Sequence, residues 1–437
     1  MMNSLSLGAV LAAASLITHC LAAQSTFLAP TQSVAFALSI PDDPSNEDIY
    51  FSIAMARGLS WAAVGMGAHK MPGTLVFMIY PSASENNITF SPRLATDHTE
   101  PEYHPALDYE TLANATGLVN DSTYIYSAVC HNCRTWRGGS LDVNSTSERF
   151  IFATGPGGTA GSDSDQASVK LHYEHGAFTM DLQHATGPVR PAVLNAVTAD
   201  DNDGSQLVGE PVQGMNDWVA VIHAVFMIGC FVGLMPLGML MVRLGGWVRL
   251  HGFNQAVAMI GVVVGLGLGI KTGTLYNRTK NFNTAHQAIG IVVFIFILAQ
   301  FALGVVHHRE FKKTQKPTKF APVHVWLGRA TIILGIVNGF LGFPLALSPR
   351  HNYTLLGLVI AISSVILVLL SMKLVFMRRR QRREEERRME GPTGYQAEPW
   401  MAPGLHQHND TGSFEMGSLR KSGSTTVVEA RPPPAYA

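Results

Sequence analysis

The sequence has little charge and no surplus of either sign. Charged residues make up only 14% of the 437 residues, and 31 Lys and Arg balance 31 Asp and Glu. This balance gives no indication of a nucleic-acid partner, because nucleic-acid-binding domains carry clustered basic residues. Hydrophobic residues account for 47% of the chain, and long uncharged runs of them lie in the second half. The composition therefore indicates membrane-spanning segments.

Cysteine is also scarce, with 4 in the chain. Cys20 and Cys230 lie in apolar runs, which leaves Cys130 and Cys133 as the two outside such runs. A zinc site would need more thiolates or imidazoles nearby. Attachment of a c-type haem would need His directly after the second Cys, where Arg134 stands. The pair therefore predicts a short-loop disulfide in an exported domain.

The N-terminus has the features of a secretory signal. Residues 5–23 are apolar, short for a membrane span, and end in small residues before Gln24. An uncleaved anchor helix is the alternative, but we expect residues 1–23 to be a signal peptide. N-glycosylation sequons at Asn87, Asn114, Asn120 and Asn144 fit a domain in the secretory lumen.

Residues 24–187 predict an all-β domain. Short apolar or alternating runs are separated by Gly, Pro, Asn and Ser clusters, and no long amphipathic helix interrupts them. We expect an immunoglobulin-like β-sandwich. The polar, acidic residues 188–214 predict a linker to the next domain. The expected strands cover residues 33–40, 49–56, 61–66, 75–80, 123–130, 150–154 and 177–182.

Five long apolar runs lie within residues 215–377. Each is long enough to cross a bilayer as a helix, which predicts an all-α membrane bundle of five transmembrane helices. The runs cover approximately residues 218–242, 248–270, 285–306, 323–347 and 355–376.

Charge sets the expected orientation of these helices. Lys and Arg concentrate in the loops after the first and third runs and directly after the fifth, which all lie on one side, and that side should be cytoplasmic. Sequons at Asn277 and Asn352 lie in the opposite loops. We therefore expect an integral protein of the plasma or secretory-pathway membrane with its N-terminal domain outside. Residues 378–437 predict a disordered cytoplasmic tail, and His307 and His308 a solvated basic loop.

Four consecutive membrane runs each carry one histidine near an end. His223 and His286 are at the outer ends of their runs, whereas His251 and His324 are at the inner ends. Two imidazoles that face each other across a bundle can ligate one haem iron. A single interfacial histidine would mean little, because it costs little there. The matched depths of all four predict one haem near each membrane face, a relay across roughly 30 Å of hydrocarbon.

Residues 218–376 resemble the cytochrome b561 family. The resemblance lies in Ile222-His223-Ala224, Leu250-His251-Gly252, Ala285-His286-Gln287 and Val323-His324-Val325. It implies two haem b groups, one held by His223 with His286 and one by His251 with His324. It also implies an oxidoreductase that moves electrons across a membrane, from a reductant such as ascorbate to an outer acceptor such as a ferric chelate or a redox protein. Arg329, one turn beyond His324, is a candidate partner for a haem propionate.

Residues 24–187 resemble the fungal DOMON sandwich related to the cytochrome domain of cellobiose dehydrogenase. The resemblance lies in residues 61–67 leading to Met71, in residues 130–142, and in His172 followed by residues 176–181. It implies a third haem b whose iron is held by Met71 and His172. Met66 and His175 are close alternatives, and the sequence alone leaves both choices open.

Two other functions fit parts of the sequence. In the first, the sandwich binds a glycan or a protein outside the cell and the helices are only an anchor. In the second, the histidines relay protons in a transporter, which predicts charged residues in mid-membrane. The five runs have no Asp, Glu, Lys or Arg at their centres, which argues against a transporter.

Overall fold

A computed structural model of the protein describes residues 23–158, 161–188, 202–316 and 318–389. The expected signal peptide, apart from residue 23, and residues 390–437 of the expected tail lie outside this description. The chain divides into two compact units. The first contains the described residues up to Val225, together with Val264–Ala288 and Gly342–Pro349, and the second contains Phe226–Val263, Ile289–Leu341 and the described residues from Arg350 onward.

The N-terminal part of the first unit is a β-sandwich, as the alternating runs predict. Its strands are β1 (Ser25–Leu28), β2 (Val34–Pro41), β3 (Ile49–Ala56), β4 (Ala62–Met66), β5 (Leu75–Pro81), β6 (Ile88–Leu94), β7 (Glu102–Tyr103), β8 (Asp108–Thr111), β9 (Gly117–Val119), β10 (Thr123–His131), β11 (Thr135–Trp136), β12 (Gly139–Ser140), β13 (Glu148–Thr154), β14 (Glu174–Met180), β15 (Thr186–Gly187) and β16 (Ser205–Val212).

These strands form two large sheets and a separate β11–β12 hairpin. One sheet has the order β1-β2-β3-β10-β8, with β15 beside β2 and β9 beside β10. The other has the order β16-β14-β13-β4-β5-β6-β7. The core lies between the sheets because alternate residues of each strand point inward. Phe51 of β3 stacks on Phe77 of β5 with ring centres 4.2 Å apart, and the bonded sulfurs of Cys130 and Cys133 are buried at the same core.

Residues 205–212 depart from the expectation of a linker, because they form β16. Leu207 and Val208 pair with Phe178 and Ala177 of β14, which extends the second sheet by one strand. The Ser205 hydroxyl donates to the Thr26 carbonyl at 2.6 Å and anchors the start of the strand. The acidic residues before Ser205 give this region the composition of a linker, so the composition alone does not indicate a strand. The sandwich therefore extends to Val212.

Five helices follow that are long and apolar enough to cross a membrane, as the sequence predicts. The first comprises α1 (Trp218–Ile228), a π-helical segment (Gly229–Leu234) and α2 (Met235–Gly245). The others are α3 (Val248–Leu275), α4 (Ala285–Thr314), α5 (Phe320–Leu345) and α6 (His351–Met389). The α6 helix thus includes residues 378–389, so the prediction of a disordered tail is wrong for these residues. An Arg380–Glu384 pair one turn apart, at 2.9 Å, supports this extension.

The π-helical segment has a local cause in Pro236. Proline has no N–H, and its ring collides with the carbonyl four residues earlier, here that of Val232. The wider turn relieves this conflict, and the N–H of Met235 donates to Cys230, five residues back. Such segments occur mostly as single turns within α-helices, frequently near functional sites.

Candidate haem-binding sites

The first candidate site lies in the first unit, between α1 and α4. The ring centres of His223 and His286 are 6.1 Å apart, and the ring planes are 87° apart. The Nδ1 atom of His223 is 2.7 Å from the Gly265 carbonyl oxygen. A carbonyl can only accept, so Nδ1 carries the proton and Nε2 keeps its lone pair. This is the arrangement that orients a metal-ligating histidine.

The second candidate site lies in the second unit, between α3 and α5. The ring centres of His251 and His324 are 6.4 Å apart, with the planes at 83°. His251 Nδ1 donates to the Gly238 carbonyl at 2.8 Å, which repeats the arrangement at His223. His324 Nδ1 is buried without a hydrogen-bond partner, while the Gln300 amide nitrogen lies 3.3 Å from His324 Nε2.

Both ring separations fit a metal ion between the imidazoles. Two metal–nitrogen bonds of about 2 Å, together with the distance from each nitrogen to its ring centre, give a centre-to-centre separation of about 6 Å. The distances of 6.1 and 6.4 Å agree with this value. The sequence paired His223 with His286 and His251 with His324 from their depths, and these are the residues that come together.

A glycine on a neighbouring helix lies against three of these imidazoles. A Cβ atom added to Gly269 would lie 2.7 Å from His223 Cε1, and one added to Gly342 would lie 2.9 Å from His286 Cε1. The corresponding distance from Gly304 to His324 Cε1 is 3.0 Å. Sequence reasoning did not assign these glycines to the sites. The available signal was the frequency of small residues in the spans, which by itself indicates only close helix packing.

His307 and His308 do not lie in a solvated loop, because α4 continues through both to Thr314. His307 Nδ1 is 2.5 Å from the Thr318 hydroxyl, and its ring centre is 6.4 Å from that of His324. The inner site therefore has a third imidazole nearby. The neighbouring basic residues indicated a solvated loop, so the sequence did not predict this position for His307.

Arg329 has a different partner from the one considered in the sequence analysis. Its guanidinium carbon lies 4.8 Å from the ring centre of Trp326, a cation–π contact on the exposed side of α5.

The third candidate site is the outer face of the second sheet of the sandwich. His175, Ala153, Ala63 and Met78 are register partners on four adjacent strands, so their side chains share this face. The face is apolar and buried, because Val169 and the partly buried Met71 pack against it. Ala153 and Ala63 place two small side chains in the middle of this row.

The two methionine candidates lie on opposite faces of this sheet. Met66 is fully buried in the core between the sheets, whereas Met71 packs against the outer face. The histidine candidates lie together, with the ring centres of His172 and His175 4.6 Å apart. His172 Nδ1 is buried and has no hydrogen-bond partner. Burial, and then the neighbouring His175, lowers the pKa of His172 to about 4, so this imidazole is neutral and able to bind a metal at neutral pH.

Two protein families match successive parts of the chain. Residues 21–188 match the cytochrome domain of cellobiose dehydrogenase, and residues 222–349 match eukaryotic cytochrome b561. The five apolar helices and the second match make it an integral membrane protein. Both families are cytochromes, which supports haem-based electron transfer.

The curated relatives match the chain over a limited part of their length. A cytochrome b561 and DOMON domain-containing protein of Arabidopsis thaliana is 31% identical over 130 residues, which are 28% of this chain and 31% of that protein. A second Arabidopsis thaliana protein, described as cytochrome b561 domain-containing, is 29% identical over 129 residues, 27% of this chain and 48% of that protein. The matches therefore span about a third and about half of these relatives.

Two solved structures are similar to part of the chain. The cytochrome b domain of pyranose dehydrogenase from Coprinopsis cinerea has a TM-score of 0.34 and 15% identity, covering 37% of this chain and 83% of that one. The cytochrome domain of cellobiose dehydrogenase from Myriococcum thermophilum has a TM-score of 0.32 and 19% identity, covering 38% of this chain and 86% of that one.

Proposed function

We propose that the protein transfers electrons across a membrane by means of haem b held by two histidine pairs in the helices. The observation that supports this most directly is the repeated geometry of the pairs, with ring centres 6.1 and 6.4 Å apart. His223 and His286 begin their spans, and so do His251 and His324. Because successive spans run in opposite directions, the first pair belongs to one membrane face and the second pair to the other.

The protein's contribution is to orient the ligands before the cofactor binds. The Gly265 and Gly238 carbonyls hold Nδ1 of His223 and His251, which leaves Nε2 of each as the atom that would bind the iron. The apolar spans exclude water. The glycines beside the rings allow the neighbouring helices to approach the imidazoles closely. Haem b supplies a one-electron iron couple at each site.

A third haem b is proposed for the outer face of the sandwich, with Met71 and His172 as its iron ligands. Met71 is preferred to Met66, because Met66 points into the core on the opposite side of the sheet. His172 is preferred to His175 because its buried Nδ1 lacks a partner. A Met/His pair would give this site a higher potential than the bis-His sites.

The donor and the acceptor follow only from the proposed orientation. Basic residues flank the helix ends on the side of His251 and His324, which we assign to the cytoplasm. We propose a small anionic reductant such as ascorbate there, and a ferric chelate or a redox protein as the acceptor outside. Arg329 remains the candidate propionate partner at the inner site. Membrane lipid surrounds the exposed apolar residues of the spans.

The test is a reduced-minus-oxidised absorption spectrum of the purified full chain, with haem quantified per polypeptide. We expect about three haem b per chain, one fewer in His251→Ala, and no change in His308→Ala, a control on α4. About two per chain would keep the membrane relay and make the sandwich a binding domain. A haem-free wild type would overturn electron transfer and favour an anchored receptor for a glycan or a protein.

A further inference from the structure

The first unit contains a buried cluster of charges at Glu100, in the loop after β6. The side chain of Glu100 is only 3% exposed and lies between two arginines. Its Oε1 is 3.3 Å from Arg93 Nη1, and its Oε2 is 3.8 Å from Arg278 Nη1. Arg93 belongs to β6 of the sandwich, whereas Arg278 lies in the loop between α3 and α4. A residue of the sandwich thus pairs with a residue of the loop that follows α3.

Backbone hydrogen bonds surround this ion cluster. The N–H of Glu100 donates to the Leu275 carbonyl at 2.9 Å, and the N–H of Asn277 donates to Glu100 Oε2, also at 2.9 Å. The Asn277 amide side chain donates to the Pro101 carbonyl at 3.0 Å. Directional bonds of this kind fix one register between the two segments, which a hydrophobic contact alone would not do.

The same cluster holds Val169, which belongs to the segment over the third candidate site. The N–H of Val169 donates to Glu100 Oε1 at 3.1 Å, and its carbonyl accepts from Arg278 Nη1 at 3.0 Å. Val169 packs with Met71 on the apolar outer face, and His172 follows three residues later. Both backbone groups of this one residue are therefore held by the two charges that join the sandwich to the loop.

The start of the first span is tied to the same loop. Asp217 Oδ1 accepts the N–H of Ala220 and caps α1. Asp217 Oδ2 accepts the hydroxyl of Tyr276 at 2.6 Å, and the guanidinium of Arg278 lies 4.2 Å from the centre of the Tyr276 ring. The Arg278 Nε atom also donates to the Leu345 carbonyl at 2.8 Å. Arg278 thus joins the ends of α3 and α5 to the sandwich.

We propose that Glu100 and Arg278 form an intramolecular docking site, by which the sandwich recognises the loop between α3 and α4 and by which Val169 is held over the outer face of the sheet. Glu100 and Arg278 are positioning residues, since neither is a candidate iron ligand. The docking site does not depend on haem. The docking site also positions the segment that contains His172. A consequence for electron transfer rests on the proposed function.

Hydrogen exchange of the purified full chain in detergent tests the docking site without any cofactor signal. In Glu100→Gln, the two arginines lose the charge between them, and burying unpaired charges is costly. We expect the backbone amides of Glu100, Val169 and Asn277 to exchange at least about tenfold faster than in the wild type. Arg278→Gln should have the same effect while keeping the Arg93–Glu100 pair inside the sandwich. If Glu100→Gln does not fold, Arg278→Gln therefore tests the docking site on its own.

Glu102→Gln is the matched control. Glu102 is two residues away and pairs with Lys280 of the same loop, but both side chains are largely exposed. An exposed pair contributes little, so exchange at the three amides should stay within about twofold of the wild type. Unchanged exchange in Arg278→Gln, or an equal increase in Glu102→Gln, would overturn the docking site. A haem-free protein with the expected exchange pattern would overturn the proposed function and leave the docking site standing.

Discussion

Gly269 of α3 lies directly against the imidazole of His223, so closely that an added Cβ atom would be 2.7 Å from His223 Cε1. Real carbon atoms do not approach to this distance without a shift of one of them. The same imidazole donates to the Gly265 carbonyl, one turn earlier on α3. One helix therefore sets both the tautomer of His223 and the space that its ring occupies.

Gly269→Ala should displace the His223 ring and weaken the outer haem site. We expect the loss of about one haem per chain, with an overpacking cost of about 1–3 kcal/mol. Gly267→Ala is the matched control on the same helix, because an added Cβ at Gly267 meets no atom within 4 Å. The measurement is haem content together with thermal unfolding. Equal haem content in the two variants would contradict the role of Gly269.

The two methionines of the sandwich should respond differently to the same substitution. Met71→Leu removes the proposed thioether ligand, so we expect loss or a spectral change of the sandwich haem, with the two membrane haems retained. Met66→Leu changes only a core side chain and should cost less than about 1.5 kcal/mol, with all haem kept. Absorption spectra and unfolding curves of both variants make the comparison. Haem loss in Met66→Leu alone would reverse the assignment.

Glycan mapping should separate two of the sequons. Asn144 is exposed, whereas the Asn277 amide is bonded to Pro101 and the Thr279 hydroxyl of its sequon is buried against the Gly273 carbonyl. If the sandwich is outside, we expect a glycan at Asn144 and none at Asn277. Peptide mass spectrometry after deglycosylation checks both positions. The proposed cytoplasmic tail also contains a sequon, Asn409-Asp410-Thr411. A glycan at Asn409 would contradict the orientation.

Sequence patterns predicted the features that local periodicity controls. The five spans follow from uncharged runs, and the pairing of His251 with His324 follows from their matched depth in the second and fourth spans, which run in the same direction. The strand β16 was missed because the acidic run before Ser205 dominates the local composition, while its pairing with β14 is a tertiary effect. The pairing of Glu100 with Arg278 joins residues far apart in sequence, and no local pattern indicates which charges will meet.

Because β16 belongs to the sandwich, the connection from the sandwich to α1 is short. This short connection limits how far the sandwich could move from α1 if the docking site opened. Only residues 213–217 connect the end of β16 to the start of α1, and a fully extended chain of that length reaches at most about 18 Å. A released sandwich would remain at a local concentration in the millimolar range beside the helix ends. Re-docking would then be an intramolecular step, and its rate would be independent of the protein concentration.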